Sequence, residues 1–191
     1  MGCDIHLRIE KRVGGSQWCN VPWTCEDHRK WPMEQPDQDA VEMPDSLDGR
    51  NYNLFAILAD VRQKTWGERL EPIAQPRGIP RDSPLYSEEY ADIEPWIGDH
   101  SFSYVTLKEL QDYPWQDPYR YTAWVSKEQA EQFALDGKQP KSWAGGMSNG
   151  VQISWISTIE KAVREWNKDV LPVLAKLGDP EDVRLVFGFD S

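Results

Sequence analysis

The first residues alternate. Cys3, Ile5, Leu7 and Ile9 fall on one side of an extended chain, and Asp4, His6, Arg8 and Glu10 on the other. A period of two with one apolar side predicts a strand that buries one face, over 3–13. Gly14-Gly15-Ser16 is a turn, and Gln17 to Val21 reads as the returning arm of a hairpin. The period becomes helical at Leu54, Phe55, Ile57, Leu58 and Val61, which predicts a core helix over 52–62.

Further along, 103–105 is extended. Thr106 with Glu109 forms a capping box that opens a short helix. A strand follows at 119–125. Ser126 with Gln129 caps another helix, which stops near Gly137. Residues 151–156 form a strand, and 157–160 open what reads as the longest helix. Its buried stripe is Ile159, Val163, Trp166, Val170, Val173, Leu174 and Leu177, with a kink at Pro172 and a stop at Gly178. A last strand spans 182–189, with Val183, Leu185 and Phe187 on one face. Helices and strands are mixed without regular alternation. The expected class is therefore α+β: an antiparallel or mixed sheet with an N-terminal hairpin, packed by three to four helices and long ordered loops.

Two stretches follow neither period. Residues 22–49 are polar and Pro-rich, with eight acids against two bases. They read as an irregular acidic surface excursion. Residues 63–98 contain Pro72, Pro76, Pro80, Pro84 and Pro95, with Gly67, Gly78 and Gly98. A loop of that length inside a domain points to function, and its large residues argue against disorder.

Composition narrows the function classes. At 191 residues the chain fits a single domain, 1–191, able to bury a core without staples. A net charge of -11 repels a polyphosphate backbone, so duplex nucleic acid is excluded as a partner. A small anion in a local basic pocket is not excluded. No apolar run reaches membrane-spanning length. The start lacks a signal peptide, and three cysteines are too few and odd for a disulfide framework. The expected location is the cytoplasm, with reduced thiols. Ten Trp supply core area and, in part, rings able to stack on a planar ligand.

Candidate chemistry falls in four places. Asp4 and His6 share a strand face and could form an acid–base or metal pair. Gly98-Asp99-His100-Ser101 puts a carboxylate, an imidazole and a hydroxyl in one loop before a capped helix. Residues 62–81 hold Arg62, Lys64, Arg69, Arg77 and Arg81 against only Glu68 and Glu71. There, Gly78 between prolines allows close backbone approach, and Trp66, Tyr86 and Trp96 are near in sequence. The competing reading is that these arginines pair with the acidic excursion. Lastly, Cys3-x-x-His6 with Cys25-x-x-His28 has the look of a zinc string. A regular strand, however, points Cys3 and His6 to opposite faces.

Five segments carry a resemblance: Met1-Gly-Cys-Asp-Ile-His6, the stretch 51–62, Pro76-Arg-Gly-Ile-Pro80, Gly98-Asp-His-Ser101 with 106–110, and the stretch 183–190. Together they resemble a family of small bacteriophage and prophage proteins and span nearly the whole chain. The resemblance implies an accessory phage protein working in the host cytoplasm, a context that includes inhibitors capturing nucleotide immune signals. It implies no reaction.

The leading expectation is a binding protein for a small phosphorylated ligand, a nucleotide, possessing no cofactor and leaning away from catalysis. Arg77 and Arg81 would clamp phosphate with Arg62 and Arg69, and Gly78 would let the backbone close in. Trp66 or Trp96 would stack, and Asp4, His6, Asp99, His100 and Ser101 would bond sugar or base. A shared pocket in a homo-oligomer fits this role. One rival is a hydrolase in which Asp4, His6, Asp99 and His100 hold a divalent metal. Another is an acidic inhibitor that docks residues 22–49 on a host protein.

Overall fold

The N-terminal alternation folds as the pattern requires. In the computed structural model, which describes residues 2–29, 39–63, 67–86 and 97–190, strand β1 (Asp4–Val13) buries Ile5, Leu7 and Ile9. Strand β2 (Gln17–Val21) pairs antiparallel with it, Val13 opposite Gln17. The turn between them needs φ of 61° and 77°, values that Gly14 and Gly15 adopt without strain.

The acidic excursion is more structured than its composition suggests. Strand β3 (Trp23–Thr24) pairs parallel with β4 (Val41–Glu42), and a single turn, α1 (Glu26–Arg29), follows β3. Cys25 is buried, and Met43 and Leu47 are buried in the main core. Apolar side chains therefore pin the excursion at both ends, against the expectation of a wholly irregular surface segment. Residues 30–38 of it lie outside the described residues.

Helix α2 (Tyr52–Ala59) starts where Asn51 Oδ1 accepts the Leu54 N–H at 3.2 Å. It ends short of residue 62. Asp60 turns left-handed at φ 59° and returns its N–H to the carbonyls of Ala56 and Phe55. Strand β5 (His100–Thr106) leads into α3 (Leu107–Asp112) through the expected capping box of Thr106 and Glu109. Strand β6 (Pro118–Val125) leads into α4 (Lys127–Asp136) through the box of Ser126 and Gln129, and Gly137 closes that helix. Strand β7 (Val151–Thr158) pairs antiparallel with β6.

The long C-terminal helix is the main correction. The chain forms two helices, α5 (Ile159–Ala162) and α6 (Trp166–Leu174), broken by Arg164 and Glu165 at φ 57° and 60°. Pro172 sits inside α6 and is not where the chain breaks. The cause lies at Glu160, 4% exposed. Its carboxylate gathers Gln116 Nε2 at 2.8 Å, Asn167 Nδ2 at 3.0 Å and Lys168 Nζ at 2.7 Å. In one straight helix, residues 160 and 167 would stand roughly 10 Å apart along the axis. The break folds Asn167 and Lys168 back onto the buried acid. Hydrophobic spacing carries no sign of such a polar demand.

A short 3₁₀ turn (Pro180–Asp182) precedes β8 (Val183–Asp190), which is central in a four-stranded antiparallel sheet of order β2-β1-β8-β5. The fold class is α+β, as expected. One sheet face, with Ile5, Leu7, Ile9, Leu185, Phe187 and Phe189, meets α2, α6 and the inner side of β6–β7 in one core. The other face is covered by the Pro/Gly loop. Leu85 and Ile97 pack on Val186 there, and Ser83 closes over a buried Glu10–Arg184 pair. No helix among the described residues is long and apolar enough to cross a membrane.

Candidate functional site

Two cations of the basic loop, Arg69 and Arg77, are already occupied by the protein's own acids. Arg77 forms two bonds to Glu109, at 2.6 and 3.1 Å, with its guanidinium 5.2 Å from the centre of the Tyr104 ring. Arg69 Nη2 lies 2.7 Å from Asp60 Oδ1. Arg62 Nη2 donates to the Gly2 carbonyl at 3.1 Å and faces the Tyr52 ring. Arg81 is exposed. Gly78 has φ 78° and open space where a Cβ would stand, and its N–H donates to the Phe102 carbonyl. Its glycine therefore serves a turn that docks on β5. Among the described residues, Arg69 and Arg77 are thus bound to Asp60 and Glu109 instead of standing free to clamp a phosphate. The competing expectation of internal pairing holds for Arg69 and Arg77, whose partners, Asp60 and Glu109, lie outside the acidic excursion. Trp66 and Trp96 lie outside the described residues.

The proposed metal quartet does not assemble either. Sheet register puts His100 opposite Phe189, on the core face. Asp4 and His6 stand opposite Asp190 and Gly188, on the other face. Asp4 is held by Arg50 through bonds of 2.8 and 2.6 Å. His6 Nε2 lies 3.2 Å from Asp190 Oδ2. His100 Nδ1 is 2.9 Å from Ser101 Oγ, and the Asp99 N–H donates to the Phe189 carbonyl. Ser101 itself sits left-handed at φ 53°, in the bulge that offsets His100 from Ser103. Among the described residues no group of three or more His, Cys, Asp or Glu could hold a metal. Cys3 and Cys25 are buried core residues without a disulfide, and the side chain of His28 is outside the described residues.

The fold does make a cleft, of about 510 Å³, on a different part of the surface. Three segments build it. Arg50, Asn51, Tyr52 and Asn53 lead into α2; Lys161, Ala162 and Arg164 form the broken corner between α5 and α6; and Lys141, Ser142 and Trp143 lie between α4 and β7, beside Tyr121 of β6. Asn51 Nδ2 donates to the Val163 carbonyl at 2.8 Å and Asn53 Nδ2 to the Ala162 carbonyl at 2.9 Å. These bonds lock the start of α2, the positive end of its dipole, to the corner.

Aromatic rings make one wall. Tyr121 stacks on Trp155 at 5.0 Å and 3°, and Trp143 stands edge-on to both at 5.8 and 5.5 Å. Backbone bonds of 2.9 Å in both directions between Ala144 and Trp124 hold the segment that carries Trp143. Trp143 keeps 39% of its surface exposed. Burial pushes the Tyr121 phenol up to about 12, against the opposing pull of Arg164. It stays neutral at physiological pH.

The lining is cationic: Arg50, Lys141, Lys161 and Arg164, with no carboxylate among the described residues that line it. Lys161 is 2.9 Å from Glu165, and Arg50 is spent on Asp4. That Arg50 hydrogen bond is the main reason the Asp4 carboxyl lies below its usual 3.8. Lys141 and Arg164 have no ion-pair partner among the described residues. Arg164 also holds a left-handed backbone, which costs an L-residue roughly 1–2 kcal/mol. Backbone strain of this kind gathers at functional sites.

Sequence reasoning named none of these lining residues. Each cation stands alone in its local string, and only the fold brings them together. The nearest signal was Trp143 within the Gly-, Ser- and Pro-rich stretch 137–150. No known protein family, curated protein or solved structure matches the chain.

Proposed function

We propose that the chain binds a small phosphorylated ligand of the nucleotide class in this cleft and sequesters it unchanged. One observation carries the reading: in a chain of net -11, the described residues lining the cleft include four cations, two of them without an ion-pair partner among the described residues, three aromatic residues and no acid. An anion is repelled by most of this surface and drawn to that one hollow. Arg164 and Lys141, which have no ion-pair partner among the described residues, suit phosphate oxygens, while Lys161 and Arg50 already hold Glu165 and Asp4. The rings of Trp143 and Tyr52 suit a planar base. A volume of about 510 Å³ falls in the range of small-ligand sites. Capture rather than turnover is the simpler reading of a lining in which the described residues include no His, Cys, Asp or Glu. In the phage context that the sequence resembles, such capture withdraws a nucleotide immune signal from the host.

Calorimetry against linear and cyclic nucleotides tests this. The expected result is at least one Kd below ~100 μM, with the ligand recovered intact after denaturation. Arg164→Ala and Trp143→Ala should each weaken binding by ~10-fold or more, whereas Arg77→Ala should not. Absence of binding across the panel overturns the reading, and a recovered product replaces capture with catalysis.

A further inference from the structure

Among the described residues, the β6–β7 hairpin has an open edge with a defined hydrogen-bonding pattern. Trp124 exchanges both its backbone bonds with Ala144, and the Arg120 carbonyl accepts from the Glu68 N–H. Both residues thus spend their backbone groups on the side away from β7. Their partners across the hairpin, Gln152 and Ile156, are therefore in non-hydrogen-bonded pairs, and so is Ser154 between them, opposite Thr122. The Thr122 and Ser154 hydroxyls lie 2.9 Å apart, as the closer spacing of such a pair allows. Gln152, Ser154 and Ile156 consequently present their N–H and C=O groups outward. Among the described residues only the Ile156 carbonyl is met, by the Gln139 side chain at 3.3 Å.

Edge strands in natural proteins are blunted by charge, proline or shortness. β7 spans eight residues, Val151–Thr158, and contains no charged residue and no proline. Its surroundings are apolar. Among the described residues, five of the seven exposed large hydrophobics fall between 135 and 156: Leu135, Trp143, Met147, Val151 and Ile156. They are also electrically mild. Stretch 118–158 has four basic and three acidic residues in a chain of net -11, so a second copy meets no acidic barrier there.

We infer that β7 pairs antiparallel with β7 of a second copy of this chain, making a continuous sheet β6-β7-β7-β6 about a two-fold axis. Centring the axis on Ser154 sets Ser154 opposite its copy and Gln152 opposite Ile156 of the second chain. The outward groups of three residues then form about six bonds. On the inner face Ile153 meets Trp155 of the second chain, and no position opposes like charges. A strand edge alone makes a small interface, so the dimer is expected to dissociate at low concentration.

Sedimentation equilibrium of the full chain tests this, with a mass of twice 22.1 kDa expected at high concentration. Ser154→Pro removes an outward donor that the hairpin does not use. Ile156→Lys puts a charge on the edge at a site already 51% exposed. Each variant should shift the protein to monomer with an unchanged far-UV spectrum. Opposed Ser154 positions fall about 5.5 Å apart between Cα atoms, within disulfide reach. Ser154→Cys should therefore cross-link on mild oxidation, and Gln152→Cys should not. A wild-type chain that stays monomeric at ~100 μM overturns the inference, as does a dimer that survives both edge variants.

Discussion

Glu10→Gln tests how the Pro/Gly loop is held on the sheet. Glu10 is 0% exposed and Arg184 4%, with Arg184 Nε 2.8 Å from Glu10 Oε2. Ser83 donates to the other carboxylate oxygen at 2.5 Å, and Arg184 lies 3.8 Å from the centre of the Trp18 ring. The amide keeps the shape and an acceptor for Ser83 but removes the charge. Breaking a buried pair by deleting one partner costs about 3–5 kcal/mol, because the other charge stays in a poor solvent. Here the lower end applies, since Asp82 Oδ1 still lies 3.0 Å from Arg184. About 3 kcal/mol is a large share of the ~5–15 kcal/mol that keeps a domain folded. In urea it moves the midpoint down by roughly 1–3 M. Replacing both charges, Glu10→Leu with Arg184→Met, should restore most of the loss. The remainder is the ~1 kcal/mol of a buried Ser83 left without its acceptor. A loss below ~1 kcal/mol in the single variant, or a double variant no better than the single, would refute the reasoning.

Three further outcomes follow from other parts of the molecule. Arg164→Gly relieves the left-handed strain and should stabilise the fold by about 1 kcal/mol by thermal melt, while weakening nucleotide binding. Opposite signs for stability and affinity separate a functional strain from a structural one. Gly98→Ala should cost roughly 3 kcal/mol, because φ is 109° and a Cβ would stand 2.6–2.8 Å from the Phe189 backbone. The pH profile of stability is set by depressed carboxyls. Asp4 is lowered by the Arg50 bond, Asp60 by Arg69 and Asp190 by the Asp4 N–H. Burial alone would raise Glu109, but the bonds from Arg77 and the Thr106 N–H outweigh it and hold it below 4.5. Each group adds stability that is full above its unfolded value and lost as pH falls through the folded one. Acid melting should therefore set in below about pH 4. Glu109→Gln keeps an acceptor for the capping box, should cost about 1 kcal/mol at pH 7, and should shrink the acid-dependent part of that loss.

Most elements were legible because apolar spacing and caps are local signals. The β1–β2 hairpin, both capping boxes, β6, β7 and β8 all stand at or within a few residues of the expected places. The misses share a cause. α2 stops early through a left-handed Asp60, and the C-terminal helix breaks to serve Glu160. Both sites hold polar bonds to residues whose proximity the linear pattern does not encode, Asp60 to Arg69 and Gln75, and Glu160 to Gln116 and Asn167. Cys25, Met43 and Leu47 taught the same lesson in reverse: a few scattered apolar residues in an acidic stretch are buried, two of them in the main core.

The same physics explains why the arginine loop drew attention and the cleft did not. A local excess of positive charge is visible in a string, but its neutralisation is not: Glu109, which occupies Arg77, lies 32 residues away. Conversely, Arg50, Lys141, Lys161 and Arg164 spread over more than half of the chain, and each looks like an ordinary solvated cation. They matter together because Asn51 and Asn53 tie the start of α2 to the broken corner, and because that corner is broken at all. The cleft thus depends on the polar demand of buried Glu160, which folds α6 back and sets Arg164 at the rim. Glu160→Leu should accordingly favour one continuous helix, move Arg164 out of the cleft and abolish nucleotide binding while the sheet persists. Far-UV helicity that rises as binding disappears would support that dependence, and binding that survives the substitution would break it.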